Sequence, residues 1–535
     1  MKKIFSTAIG VAILISSMLT IAACGDGGKK DIDLTGRTEL VIDGGGQNAN
    51  FNSSSSMIYD PYANPYPYNT LETLADEWNA EHPESAYYFT VAESSINNDR
   101  ETMVPALNQG TAPEILYYLS TGSEDLTKNW FVDLTEYFER PNPYSKEGEA
   151  GSVRWKDIYS QEEFSTTYAS NGKKYTAEIE LNPIGILYNK TIFDAAGIEK
   201  TPDTFKEFME AQDAIHAYGV EQKRADPAAA NYLTPYYFVY PWYNGTIESA
   251  IYGEMIPYYD VISPNGVVDA EEFVRAYMKK DNEGNKLYSP DDDKMYEVAR
   301  LIRLKSKYFP TNFESYYAEQ QFVQGNLAMV EVTGGDIRTI VDAVGDDFEV
   351  GVFSYPIIEN QPADEPENEY YTTENPNNNY VRRGFSGYSS GWAVTCSAMN
   401  KGDDAVAACI DFLQYVTCYE NNDRLINDKG FSIPLSGNSD YSFFTELGED
   451  YNADKENEDS LAWAAVSAGG NMNKEYYDRV YLTNIAFVTA TDEEIGDLLT
   501  GLVQNFQNAA NTLYTQNSWD VTKWPEYEEI AGNLS

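Results

Sequence analysis

Short apolar runs alternate with longer stretches of helical periodicity along most of this chain, and that alternation constrains its fold more than any other feature. Residues 39–43 (ELVID) predict a strand that ends at Gly44-Gly45-Gly46, and Leu71, Leu74, Ala75 and Trp78 then recur at helical spacing. Residues 115–119 (ILYYL) predict a buried strand behind Gly110-Thr111-Ala112-Pro113. Thr204 and Glu207 predict a capping box for a helix carrying Phe205, Phe208, Met209 and Ile215, with Gly219 as its stop. Residues 328–332, 348–353 and 392–395 predict further strands. Asp403 or Asp404 is expected to cap a helix through Val406, Cys409, Ile410, Leu413 and Val416. Thr491 and Glu494 predict a second capping box, opening a helix through Ile495, Leu498, Leu499, Leu502 and Phe506. Strands alternating with helices point to an α/β fold. The 535 residues leave room for two to four domains or lobes, at ~100–200 residues each.

Charge narrows the partners. Asp and Glu number 85 against 37 Lys and Arg, for a net charge of −48. Such a surface repels phosphate backbones, so no nucleic-acid partner is expected. It also disfavours a small, highly anionic ligand, although one local Arg could override that. The 43 Tyr, 23 Phe and 8 Trp suit surfaces that are half apolar and half wet. Composition alone favours packing over sugar stacking for them.

The catalytic inventory is thin. His82 and His216 are the only histidines, and His is the commonest general base and transition-metal ligand. Both fall near predicted helix ends and read as surface or capping residues. Asp291-Asp292-Asp293 lacks the spaced acids and central Gly of an EF-hand loop and reads as a helix start. Gly387-Tyr388-Ser389-Ser390-Gly391 matches G-x-S-x-G. A strand follows it, however, and no His lies beyond His216, so the nucleophile-elbow reading fails. No metal or cofactor is expected. A glycosidase needs only two carboxylates ~5–10 Å apart, so a secreted glycoside-active enzyme remains the enzymatic alternative. A surface glycan adhesin is a third reading.

The first residues predict export. Lys2 and Lys3 precede an apolar run that ends Ile21-Ala22-Ala23-Cys24. A membrane-spanning helix is the competing reading, but the Cys behind Ile-Ala-Ala looks like a bacterial lipobox. Residues 1–23 are therefore expected to be a signal peptide and Cys24 the lipidated first residue of the mature chain. Residues 24–36 would be a tether, and the protein would sit on the extracellular face of the cell membrane. Cys409 and Cys418 fall on one predicted helix, ~13 Å apart at ~1.5 Å per residue, too far for a disulfide. The three cysteines other than Cys24 read as small apolar residues.

Several segments together resemble the extracellular solute-binding proteins of carbohydrate ABC importers, the maltose-binding-like family. Asn108-Gln109-Gly110-Thr111-Ala112-Pro113-Glu114-Ile115 is similar to its G-x-x-P-D-[IV] strand entry, with Glu for the usual Asp. Residues 130–137 (WFVDLTEY) resemble its l-x-D-L-t-x-y run. Residues 171–175 (NGKKY) and 185–198 (GILYNKTIFDAAGI), followed by Thr201-Pro202, resemble G-K-x-Y and l-x-Y-N-K-x-l-F-x-x-A-G-i. Residues 322–329 (FVQGNLAM) resemble F-x-x-G-x-x-A-M, and 429–434 (KGFSIP) its late G-x-x-P segment.

The resemblance implies a two-lobe, periplasmic-binding-protein-like α/β fold with a hinge, an interlobe cleft and discontinuous lobes. Residues 37–180 and 333–388 would form lobe 1, and residues 181–332 and 389–535 lobe 2. The chain would cross near residues 178–183, 332–335 and 384–391. The implied function is capture of a sugar, expectedly an oligosaccharide, by a monomer that delivers it to ABC permease subunits and performs no chemistry on it. Candidate ligand residues are Gln47, Asn48, Asn50 and Phe51 after the first strand, and Ser120 and Thr121 after the 115–119 strand. Glu180 and Asn182 lie at the first crossing. Tyr237, Trp242 and Tyr243 belong to an aromatic second-lobe segment, Asp336 follows the expected second crossing, and Tyr388 lies in the third. Where relatives carry Trp behind the Gly pair this chain has Asp336, so the resemblance implies a hydroxyl contact rather than stacking there.

Overall fold

The structure, a computed structural model, describes residues 32–45, 70–92, 95–96, 100–118, 124–159, 164, 167–169, 171–181, 184–238, 244–262, 264, 266–333, 337, 340–341, 343–372, 380–381, 391–429, 433–434, 460–461, 466–467, 469 and 472–534. Its strands are β1 (Thr38–Ile42), β2 (Tyr87–Val91), β3 (Ile115–Tyr118), β4 (Thr176–Glu178), β5 (Glu180–Leu181), β6 (Ile184–Asn189), β7 (Thr234–Phe238), β8 (Leu327–Thr333), β9 (Val350–Phe353), β10 (Tyr380–Val381), β11 (Gly391–Val394), β12 (Ile433–Pro434) and β13 (Ser460–Leu461). They form two main sheets, ordered β2-β1-β3-β11-β4 and β7-β8-β6-β9, and two short ribbons, β5-β12 and β10-β13.

In the first sheet β1 lies parallel to β2 and β3, and β11 runs antiparallel between β3 and β4. Side chains alternate between its faces, as the pleat requires. Ile115, Tyr117, Trp392 and Val394 enter one core with Leu40, Trp78, Trp155 and Leu413. Leu116, Tyr118 and Ala393 enter a smaller cluster with Leu107 and Phe131. Trp155 ties the Asp403–Thr417 helix to this lobe. It is fully buried, stacks on Phe138 at 4.3 Å and donates Nε1–H to Thr417 Oγ1 at 2.9 Å.

The second sheet is also covered on both faces. Ile186, Tyr236 and Phe238 face helices Phe205–Glu221, Gly245–Tyr252, Asp293–Lys305 and Asp492–Asn517. Leu187, Tyr237, Val330 and Val352 face Phe322, Ile337, Ile340 and Val344.

This arrangement corrects the expected lobe boundaries. β8 and β9 flank β6 in the same sheet, so the chain does not cross at 332–335. Ile337, Ile340 and Val344 pack back onto Val330 and Val332 instead. Residues 350–353 therefore belong with the second lobe and 391–394 with the first. Residues 405–426 also pack on the first core, whereas 466–527 pack on the second. Transfers between lobes fall at 178–184, between 353 and 391, and between 426 and 466.

Local signals explain the helix ends. At Thr491 both halves of the capping box form, Thr491 Oγ1 accepting from Glu494 N–H and Glu494 from Thr491 N–H. At Thr204 only half does, because Glu207 accepts from Asp203 N–H instead. Gly219 does not stop its helix, which runs through Glu221. Gly219 is buried, and a Cβ there would sit 3.6 Å from Leu233 Cβ. Neither Asp403 nor Asp404 is the N-cap: Gly402 is, at φ 108°, and both acids occupy the first turn. Asp292 caps the Asp293–Lys305 helix, accepting from Met295 N–H at 2.8 Å.

Candidate functional site

Strand direction brings the candidate segments together. In the first sheet the carboxyl ends of β1, β3 and β4 and the amino end of β11 share one edge, with Gly391 opposite both Tyr118 and Glu178. In the second sheet the carboxyl ends of β7 and β8 share an edge with the amino end of β6, where Ile184 lies opposite Thr333. Only residues 179–183 separate β4 from β6. At ~3.3–3.6 Å per residue, that link holds the two edges within about 20 Å. Ligands of open α/β sheets bind outside such carboxyl ends.

The link itself is firmly held. Glu180 and Leu181 pair with Pro434 and Ile433 of β12. Asn422 Nδ2–H donates to the Ile179 carbonyl at 2.7 Å, and the Tyr159 hydroxyl donates to the Glu178 carbonyl at 3.1 Å. Glu178 and Lys174 form a fully buried ion pair, joined by the Thr176 hydroxyl, which donates to Glu178 at 2.6 Å. Burial pushes the Lys174 ammonium down to about 8 and the Glu178 carboxyl up, and their mutual attraction opposes both shifts.

Of the candidate ligand residues, two are described. Glu180 is 6 % exposed at the link, where the sequence placed it. Tyr237 is consumed by packing. Its ring stacks on Phe309 at 4.4 Å, and its hydroxyl donates to the Phe313 carbonyl at 2.6 Å. Gln47, Asn48, Asn50, Phe51, Ser120, Thr121, Asn182, Trp242, Tyr243, Asp336, Tyr388 and Cys24 lie outside the described residues.

Two buried polar residues escaped the sequence reading. Asp43 follows β1, accepts from Gly45 N–H at 2.9 Å and the Ser95 hydroxyl at 2.7 Å, and its carbonyl accepts from Trp392 Nε1–H at 2.7 Å. Burial pushes its carboxyl up to about 6 against those hydrogen bonds. Asn244 follows the aromatic segment and is 2 % exposed. The signal for both was a polar residue just past an apolar run, beside glycine.

Neither histidine belongs to these edges. His82 Nδ1 lies 2.8 Å from the Trp78 carbonyl, with its ring stacked on Trp78, and His216 stacks on Tyr308. Cys396, Cys409 and Cys418 are free thiols. No helix among the described residues is long and apolar enough to cross a membrane.

The model of the bacterial extracellular solute-binding protein family matches residues 73–459. The chain belongs to that family. No curated protein matches it. Solved structures share its two-lobe α/β fold at low identity. A chitin oligosaccharide binding protein is 16% identical, with a TM-score of 0.57 over 89% of this chain and 99% of its own. RafE from Streptococcus pneumoniae, in its apo form, is 16% identical, with a TM-score of 0.54 over 88% and 99%. A family 1 extracellular solute-binding protein from Bifidobacterium longum subsp. infantis is 16% identical, with a TM-score of 0.53 over 87% and 99%.

Proposed function

We propose that the protein captures a neutral glycan, an oligosaccharide, outside the cell and passes it unaltered to the permease of an ABC importer. Lipid on Cys24 tethers it, as a monomer, to the extracellular face of the membrane. The observation that carries this reading is the short link between β4 and β6, which holds the ligand-facing edges of two sheets together in a chain of the solute-binding family. Similar folds in a raffinose complex of RafE and in a chitin oligosaccharide binding protein support a sugar as the solute.

In this reading Gln47, Asn48, Asn50, Ser120, Thr121, Glu180, Asn182 and Asp336 bond hydroxyls. Phe51, Trp242, Tyr243 and Tyr388 stack on pyranose faces, while Tyr237 packs in the core of its lobe. The strongly negative surface fits a neutral ligand.

Calorimetry with a panel of neutral oligosaccharides tests it. Trp242→Ala is expected to weaken the tightest ligand roughly thirtyfold, from ~2 kcal/mol of lost contact, with the ligand-free melting temperature preserved. Mass spectrometry after prolonged incubation should recover the ligand intact. Absence of any glycan binding, or multiple-turnover cleavage, defeats the proposal.

A further inference from the structure

The Gly245–Tyr252 helix begins directly behind the aromatic segment, and all eight of its residues are buried. Asn244 stands where an Asn ordinarily caps a helix through its side chain. Here its backbone is already helical, at φ −65° and ψ −15°, and the side chain makes no cap. Both amide atoms, Oδ1 and Nδ2, are buried without a hydrogen-bond partner. Leaving buried polar groups unpaired is costly, so an unpaired carboxamide at a helix start needs a reason.

The side chain lines a cavity of about 20 Å³ between this helix and the helices Asp293–Lys305, Lys474–Phe487 and Asp492–Asn517. Glu248, Tyr288, Tyr476 and Asn484 supply its other polar groups, and Val298 belongs to its aliphatic wall. The Tyr288 hydroxyl is fully buried and faces Tyr476 without a well-formed hydrogen bond. A cavity this size admits a group about as large as one water, not a sugar ring. A carboxamide with both ends free matches a group that donates and accepts at once. The Glu248 carboxylate beside it disfavours an anion.

We propose that this pocket receives one exocyclic hydroxyl of the bound glycan, such as the hydroxymethyl of a hexose, with Asn244 both donating to it and accepting from it. The inference rests on the sugar-binding reading of the neighbouring segment. It makes the pocket a specificity element, because a pentose unit lacks that hydroxymethyl and leaves the carboxamide unpaired.

The test is calorimetry on the full chain and on Asn244→Ala and Asn244→Leu variants. The probes are neutral oligosaccharides of glucose, galactose, mannose and xylose. Hexose chains should bind the parent protein at least tenfold tighter than xylose chains of the same linkage. Both variants should lose at least tenfold for the tightest hexose ligand and erase that preference, while their ligand-free melting temperatures hold or rise. The alanine variant keeps the test open if the larger leucine prevents folding. Glycan binding unchanged within twofold in both variants would overturn the pocket assignment alone and leave a structural water site. A parent protein that binds no glycan would overturn the sugar reading itself and the pocket with it.

Discussion

Lys305 Nζ lies 3.4 Å from Glu331 Oε2, and neither side chain has any exposed surface. The Tyr236 hydroxyl donates to the same carboxylate, and the ammonium sits 5.0 Å from the centre of the Phe238 ring and 5.5 Å from that of Tyr355. Burial pushes the carboxyl up and the ammonium down. Lys174 and Glu178 repeat the pattern in the other lobe, with Phe164 at 4.9 Å from the ammonium. Breaking such a pair strands a buried charge, which costs about 3–5 kcal/mol, whereas an apolar replacement of both partners is often neutral. Lys305→Met should therefore lower the urea midpoint strongly, and Lys305→Met with Glu331→Leu should recover most of the loss. Equal destabilisation by the single and double variants would show that the charges are not coupled.

Asp43 sets a pH dependence. Its folded pKa of about 6 lies above its ordinary 3.8, so between those values the folded chain holds the proton more tightly than the unfolded chain. Stability should fall as pH rises from about 4 to about 6, by up to ~3 kcal/mol at 1.36 kcal/mol per unit. Asp43→Asn keeps an acceptor for Gly45 N–H and should flatten that slope, as read from unfolding free energies across the window. An unchanged slope would place the titration elsewhere.

Gly391 is required by close approach. A Cβ there would stand 2.7 Å from the Ala177 carbonyl oxygen, on the strand beside it. Gly391→Val should destabilise by about 1–3 kcal/mol through overpacking. Gly501, inside the Asp492–Asn517 helix with open space around it, provides the contrast. Gly501→Ala should stabilise by about 0.5–1 kcal/mol. Denaturant unfolding of the two variants checks both signs.

Cys24 is expected to carry the lipid. Cys24→Ala should move the protein from the membrane fraction to the soluble fraction and abolish cleavage before residue 24. Retention on the membrane with unchanged processing would refute the lipobox reading.

Features set by a few neighbouring residues were the most legible in the sequence. The Thr491 box and the 115–118 strand both rest on local chemistry. Gly219 misled because a buried glycine beside Leu233 looks, in sequence, like a helix stop. The expected crossing at 332–335 failed although Ile337, Ile340 and Val344 already carried helical spacing. What the spacing does not reveal is which sheet that helical stretch returns to. The paired charges were illegible, since Lys305 and Glu331 meet only through tertiary packing. At the site, Tyr237 and Asn244 exchange roles for a similar reason. Alternation along β7 turns Tyr237 into the core, and Asn244 acquires meaning only once four helices close around it.

The position of β11 between β3 and β4 governs the order in which the molecule can be built. Among the described residues β4 joins the first sheet only through β11, and on the order of 200 residues must be made between them, roughly 10–40 s at ~5–20 residues per second. During that interval the residues leading into the crossing have no strand to lie against. The second lobe likewise waits for the Asp492–Asn517 helix to complete its core. Neither lobe can finish on its first segment alone: the first waits for residues through Ile426 and the second for the Asp492–Asn517 helix.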